Sequence, residues 1–210
     1  QVATATAALS WILVEKIRDG KPTTLGVASG AVAGAVAITP ACGFVTPMGA
    51  LLVGAAGGAI CSLAVGLKYK FGYDDSLDVV GVHGVGGLVG MISIGLLATV
   101  SVNSAGADGL LYGGGAGLLG RQLIASGATL AYALIVTAVL AFIVEKTVGL
   151  RTSPENEYAG LDISEHAESA YGFTGSSAGA FAGVGHGGFG HAGGSGTGTL
   201  APPPSTEGNS

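Results

Sequence analysis

The feature that most constrains this sequence is a run of 45 residues, 23–67, without a single Asp, Glu, Lys, Arg or His. A helix that crosses a bilayer needs about 20 predominantly apolar residues, so the run is long enough for two crossings. The stretch from Thr39 to Pro47 separates them, because its two prolines interrupt helical hydrogen bonding. The sequence therefore predicts an integral membrane protein with helices at 24–44 and 48–67.

The overall composition favours the same class of protein. Charged residues make up 10% of the 210 residues, hydrophobic residues make up 49%, and 40 residues are glycine. A soluble globular domain would carry about 25% charged residues. All eight Lys and Arg lie within residues 1–151, whereas residues 152–210 hold six acidic residues and no Lys or Arg. Because no basic cluster is present, we expect no nucleic-acid partner.

Five helices are expected to cross the membrane, at about 1–17, 24–44, 48–67, 77–100 and 116–146. With five crossings, seven of the eight Lys and Arg fall on the side that holds the tail, and only Arg121 falls on the other side. Basic loops stay in the cytoplasm, so the C-terminus is predicted to be cytoplasmic and the protein to be a multi-pass protein of the cell membrane.

Glycine recurs at four-residue spacing inside these helices. Small residues at this spacing let helix backbones approach closely in lipid. The pattern therefore predicts tight helix packing, and in the chain alone we expect the first five of these glycines to meet lipid instead of partner helices. The positions are Gly26, Gly30, Gly34, Gly54, Gly58, Gly86 and Gly90.

His83 is the position most indicative of function. An ionisable side chain inside a spanning helix is costly, and the residues around it, 81–87, carry no other polar side chain. A neutral imidazole there could line a pore and relay a proton. The alternative is a histidine that only packs and hydrogen-bonds between helices.

Asp78 precedes His83 by five residues. At that spacing two residues of an α-helix do not share a face, so we expect no direct Asp–His pair. A carboxylate near a helix N-terminus is favoured as a cap, and a role at a pore mouth is the alternative.

Ser29 and Thr39 are ten residues apart and share one face of the helix predicted at 24–44. Their hydroxyls could line a path, or they could bond carbonyls of their own helix. The membrane part shows no nucleophile–base pair and no metal-ligand spacing, so no enzymatic activity, cofactor or metal is expected.

The stretch 74–87, which contains His83, occurs with three others, 20–30, 38–43 and 148–166. In their order and spacing the four resemble the ammonium transporter family (Amt/Mep/Rh), and the bacterial Amt type in particular, with 74–87 similar to the signature around a pore histidine. The resemblance covers roughly residues 8–171. Since the chain opens without Met in a short apolar stretch, we expect it to be the later part of a longer protein.

The resemblance implies the back half of an eleven-helix fold that forms homotrimers. It implies that His83 is the second histidine of a hydrogen-bonded pair in a narrow hydrophobic pore. It also places Asp78, Thr39 and Ser29 near the inner half of that pore. The first histidine of the pair would belong to helices outside this chain.

The function implied is ammonium transport, in which NH4+ is recruited outside and conducted as NH3 while its proton follows the histidines. The alternatives are an ammonium sensor and a non-transporting fragment that acts through cytoplasmic partners. The resemblance also implies that residues 152–171 form a cytoplasmic regulatory tail that contacts P-II signalling proteins. The Gly-, Ser- and Pro-rich composition of residues 172–210 predicts disorder.

Overall fold

The computed structural model describes residues 1–168, and the segment 172–210 lies outside the described residues. The described part is all-helical and contains no strand. Two compact units divide the chain, Gln1–Ile143 and a second that begins at Val144. The helices are α1 Val2–Asp19, α2 Thr24–Ile38, α3 Pro47–Ala64, α4 Leu67–Phe71, a π-helical turn Val79–Gly84, α5 Val85–Leu97, a 3-10 turn Leu110–Tyr112, α6 Gly117–Thr147, α7 Pro154–Ala159 and α8 Leu161–His166.

Local chemistry explains where α2 and α3 begin and end. The Thr23 hydroxyl accepts a hydrogen bond from the Gly26 amide (2.8 Å) and caps the start of α2. The helix ends at Ile38 rather than at residue 44, because Pro40 cannot donate the next helical hydrogen bond. Thr46 then caps α3 by accepting from the Gly49 amide (3.1 Å).

Three helical segments of the described residues are long and apolar enough to cross a membrane, and they are Pro47–Phe71, Val79–Leu97 and Gly117–Thr147. Thr24–Ile38 is also apolar but shorter. The last turn of α1 carries Lys16 and Arg18. The expectation of five crossings therefore stays a prediction for α1 and α2, whereas the other three have the length and composition that it requires.

The core of the first unit is built on α1, which packs against both α2 and α3. A β carbon added at Gly34 would lie 2.5 Å from the Ala7 Cβ, and one added at Gly54 would lie 2.7 Å from the Ala3 Cα. The glycines thus let two helices approach the backbone of α1 closely.

The expectation that these glycines would meet lipid in the chain alone is therefore wrong. Each of the five is buried, and its partner helix is α1, which this chain itself supplies. The physical reason is that α1 presents small residues, Ala3 and Ala7, to the glycine faces of both neighbours.

The second unit contains α7 and α8. Ser153 caps α7 by accepting from the Asn156 amide (3.2 Å), and the Asn156 side chain donates to Glu165 of α8 (3.1 Å). An exposed ion pair joins Arg151 to Glu157 (3.1 Å). The two short helices, α7 and α8, lie within the predicted regulatory tail, 152–171.

Candidate functional site

Three of the four predicted site residues line one depression of about 180 Å³ in the first unit. Ser29 comes from α2, whereas Asp78 and His83 lie at the start of the spanning segment Val79–Leu97. The other lining residues are apolar, namely Ala28, Val32, Leu77 and Val82. The depression therefore places a hydroxyl, a carboxylate and an imidazole on an otherwise apolar wall.

Asp78 and His83 reach the same depression because the backbone between them is not α-helical. The amide of Val85 donates to the carbonyl of Val80, five residues earlier, which is the hydrogen bond of a π-helix. In the wider π-helical turn, residues five apart lie closer in angle around the helix axis than they do in an α-helix. The sequence predicted Asp78 and His83 on different helical faces. That expectation assumed an α-helix, and the π-helical turn corrects it.

The π-helical turn is fixed against the end of α3. A β carbon at Gly81 would lie 2.7 Å from Val65 Cγ1 and 2.9 Å from Val65 Cα, so only glycine allows this approach. The thiol of Cys61 also makes a long contact of 3.8 Å to the Val82 carbonyl oxygen. Close packing therefore holds the turn that carries His83.

Asp75, and not Asp78, caps this turn. The Asp75 carboxylate accepts from the amides of Val79 (2.7 Å) and Val80 (2.9 Å). The Asp78 side chain makes no capping hydrogen bond, so the capping interpretation of that residue is wrong. An acidic residue just before a helix is an ordinary cap, and here the residue that acts as one is Asp75, three positions before Asp78.

Asp78 instead forms an ion pair. Its Oδ1 lies 2.7 Å from the Nζ of Lys68, which also donates to the Asp75 carbonyl (2.9 Å). The Asp78 backbone is left-handed, with φ 56° and ψ 32°. A non-glycine residue in this conformation costs roughly 1–3 kcal/mol and persists only where its surroundings hold it. Sequence reasoning did not single out Lys68.

His83 and Ser29 differ in how far they are covered. The His83 side chain is exposed at the surface of the described unit, whereas Ser29 is half-buried. His83 is also the only histidine of the described residues that lies in a membrane-spanning helix. Its imidazole can therefore accept and donate hydrogen bonds toward whatever faces the depression.

Thr39 does not line this depression. Its hydroxyl donates to the carbonyl of Ala35 (2.6 Å), four residues earlier in the same helix. This is the local bond that Thr commonly makes in membrane helices. The bond is the alternative expected for Thr39, a bond to a carbonyl of its own helix. A role of Thr39 in lining the path stays a prediction.

Sequence reasoning also missed Glu15, which is 9% exposed. Its carboxylate accepts from Trp11 Nε1 (3.1 Å) and from the Thr23 amide (2.8 Å). It therefore ties α1 to the first residues of α2. The sequence carried little signal for it, because Glu15 is followed by the charged residues Lys16, Arg18 and Asp19.

Within residues 1–168, no group of three or more His, Cys, Asp and Glu side chains could hold a metal ion. The two cysteines are free, Cys42 exposed and Cys61 buried.

Long apolar helices joined by close glycine contacts, with a few polar groups on one apolar wall, define a multi-pass helical membrane protein. The model of the Ammonium Transporter Family matches residues 1–171. The chain belongs to this family, which is one of transporters, and the resemblance seen in the sequence is confirmed.

Similar proteins come from bacteria and yeasts. The ammonium transporter of Mycobacterium tuberculosis (strain ATCC 25618 / H37Rv) is 54% identical over 181 residues, which cover 84% of this chain and 38% of that protein. The ammonium transporter of Bacillus subtilis (strain 168) is 54% identical over 170 residues, covering 80% and 42% respectively. The chain therefore spans less than half the length of these curated relatives.

Solved structures show the same fold. The crystal structure of Saccharomyces cerevisiae Mep2 superposes with a TM-score of 0.68 at 37% identity, covering 73% of this chain and 36% of that one. The structure of Candida albicans Mep2 gives a TM-score of 0.68 at 34% identity, covering 79% and 38%.

Proposed function

We propose that this chain forms part of a protein that transports ammonium across the cell membrane, and that it supplies one wall of the conducting path. The observation that carries the proposal is the depression lined by His83, Asp78 and Ser29 in a chain of the ammonium transporter family. Ammonium and ammonia are the substrates, and the lipid bilayer is the medium in which the helices lie.

The chemistry of the wall suits a neutral amine better than an ion. Moving NH4+ through an apolar path carries a large desolvation cost, which falls away when the ion gives up its proton. A neutral imidazole at His83 can accept that proton and donate one in return. The Asp78 carboxylate lies on the predicted cytoplasmic side of the depression, where Lys68 balances its charge.

A single histidine is half of the pair that the family resemblance implies. The partner imidazole would come from a segment of the protein outside this chain, facing His83 across the depression. The exposure of His83 in the described unit supports this arrangement, because its polar atoms are open to a further wall. Thr39, directly after the end of α2, is proposed to face the same path.

The surface of α6 supports assembly with further helices. None of its most apolar stretch is buried within the described chain, and the exposed side chains include Leu134, Ile135 and Phe142. Lipid, the remaining helices of the protein or neighbouring subunits would cover this surface.

We propose a homotrimer with a cytoplasmic C-terminus, and a P-II signalling protein as the partner of residues 152–171.

Uptake of labelled methylammonium tests the proposal. The complete gene product would be expressed in a strain that lacks its own ammonium transporters, with the empty vector as control. We expect uptake that unlabelled ammonium inhibits. Normal amounts of protein in the membrane without uptake would contradict the transport proposal and favour the sensor alternative.

A fluorescent protein fused after the last residue should fluoresce only if the C-terminus is cytoplasmic.

A further inference from the structure

We propose that Lys68 is a positioning residue for the path: its ion pair with Asp78 holds the start of the π-helical turn and thereby sets where Asp78 and His83 lie. The effect expected on transport rests on the proposed function. The effect expected on the turn itself does not depend on that function, since it follows from the contacts alone.

The ammonium group of Lys68 holds both ends of the link 75–78. It donates to the Asp78 carboxylate (2.7 Å) and to the Asp75 carbonyl (2.9 Å). The side chains of Lys68 and Asp78 are only 15% and 31% exposed, so the pair is partly shielded from water. A charge-assisted hydrogen bond in such a place is stronger than one at an open surface.

The link needs such a restraint. Asp78 is one of two non-glycine residues with positive φ in the described chain, and the π-helical turn begins at the next residue. The Asp75 carboxylate binds the first two amides of that turn. Because Lys68 binds both Asp75 and Asp78, a single side chain fixes the cap and the left-handed residue together.

Lys68 belongs to a segment that packs closely against the π-helical turn. Its short helix, α4, follows α3 after two residues, Val65 and Gly66. Val65 is the residue against which Gly81 packs in the middle of the turn. The end of α3 and α4 therefore hold the turn at two points, by close packing at Gly81 and by the ion pair at Asp78.

Lys70 provides a matched control in the same helix. It carries the same charge two residues away, is exposed, and lies with its Nζ 5.9 Å from the Phe71 ring rather than at the link. Lys68 and Lys70 each add one positive charge to the same side of the protein, so an effect on membrane orientation alone would be equal for the loss of either lysine. If Lys68 positions the turn, only the loss of Lys68 should have an effect.

The first measurement is hydrogen–deuterium exchange of the complete gene product in detergent or nanodiscs. In Lys68→Met, we expect faster exchange in peptides that cover 79–84, because the cap and the left-handed residue lose their common partner. Lys70→Met should exchange as the wild type does, and Lys68→Arg should restore slow exchange. Unchanged exchange in Lys68→Met, or equal acceleration in Lys70→Met, would overturn the proposal.

The second measurement is methylammonium uptake by the same variants, corrected for the amount of protein in the membrane. We expect Lys68→Met to lower the maximal rate by roughly tenfold, with a smaller change in the half-saturating concentration, because a misplaced group in the path slows each passage. Lys68→Arg should recover most of the rate.

A double variant shows whether the two residues act as one unit. Lys68→Met combined with Asp78→Asn should lose no more uptake than the more impaired single variant. Losses that multiply, or normal uptake in Lys68→Met, would overturn the proposal. Faster exchange in Lys68→Met together with no uptake by the wild type would support the positioning role and contradict the proposed function.

Discussion

Gly58 of α3 lies against the backbone of Ala7 in α1, so closely that a β carbon at residue 58 would be 2.8 Å from the Ala7 Cα. The carbonyl oxygen of Ala7 would be nearer still. This contact joins two helices that are far apart in sequence.

We expect Gly58→Ala to lower the free energy of unfolding by about 1–3 kcal/mol, because backbone atoms must move to admit the methyl group. Gly127→Ala in α6 is the control, since apart from the adjoining backbone of α6 itself the described chain has no atom within 4 Å of a β carbon there. Thermal unfolding of the purified protein in detergent provides the comparison. Equal stability of the two variants would argue against close packing at Gly58.

Glu15 should stabilise the junction of α1 and α2. Glu15→Leu leaves Trp11 Nε1 and the Thr23 amide without their acceptor, and we expect a loss of about 2 kcal/mol or more. Glu15→Gln keeps one oxygen acceptor and should lose less. Denaturation of both variants in the same detergent tests this order, and a Gln variant as unstable as the Leu variant would contradict it.

Replacing His83 should alter conduction more than folding. In His83→Leu we expect changed uptake, selectivity or current with a normal amount of protein in the membrane, because the imidazole is the ionisable group within the spanning segment Val79–Leu97. Val80→Leu is the control, an exposed apolar neighbour in the same turn. Methylammonium uptake and current recordings would show the difference, and unchanged transport in His83→Leu would refute the pore role.

Residues 152–171 and 172–210 of the tail are predicted to differ in their importance for uptake. Deleting residues 172–210 should leave uptake unchanged, whereas deleting 152–171 should impair uptake or its regulation. The second segment contains α7 and α8, joined by the bond between Asn156 and Glu165. Uptake assays of both deletions test the division, and equal losses would show that it is wrong.

The 210 residues expressed alone should insert into membrane without transporting ammonium. Insertion follows from the apolar helices, and the glycine contacts with α1 should keep α1, α2 and α3 packed together. Transport should fail because the wall opposite His83 is missing. Carbonate extraction and methylammonium uptake in a strain without ammonium transporters test the two parts, and uptake above background would mean that the chain forms a complete path.

The sequence predicted the class and the family correctly, for a physical reason, whereas its site residues stay predictions. Insertion into lipid depends on the hydropathy of each segment by itself, so the uncharged run 23–67 is readable without a structure. Prolines likewise act on their neighbours, so the break between α2 and α3 was readable, although the end predicted at residue 44 ran past Pro40. An ionisable residue in an apolar segment is equally visible, and it directed attention to His83.

Other features depended on contacts between residues distant in the chain, and these only the tertiary structure decided. Periodicity showed that the glycines pack, but not that α1 is the helix they pack against. A π-helical turn changes which residues share a face, so the common depression of Asp78 and His83 was not predictable from an α-helical spacing. The ion pair of Lys68 with Asp78 likewise depends on a left-handed residue and on the end of α3, whose positions arise from packing rather than from local sequence.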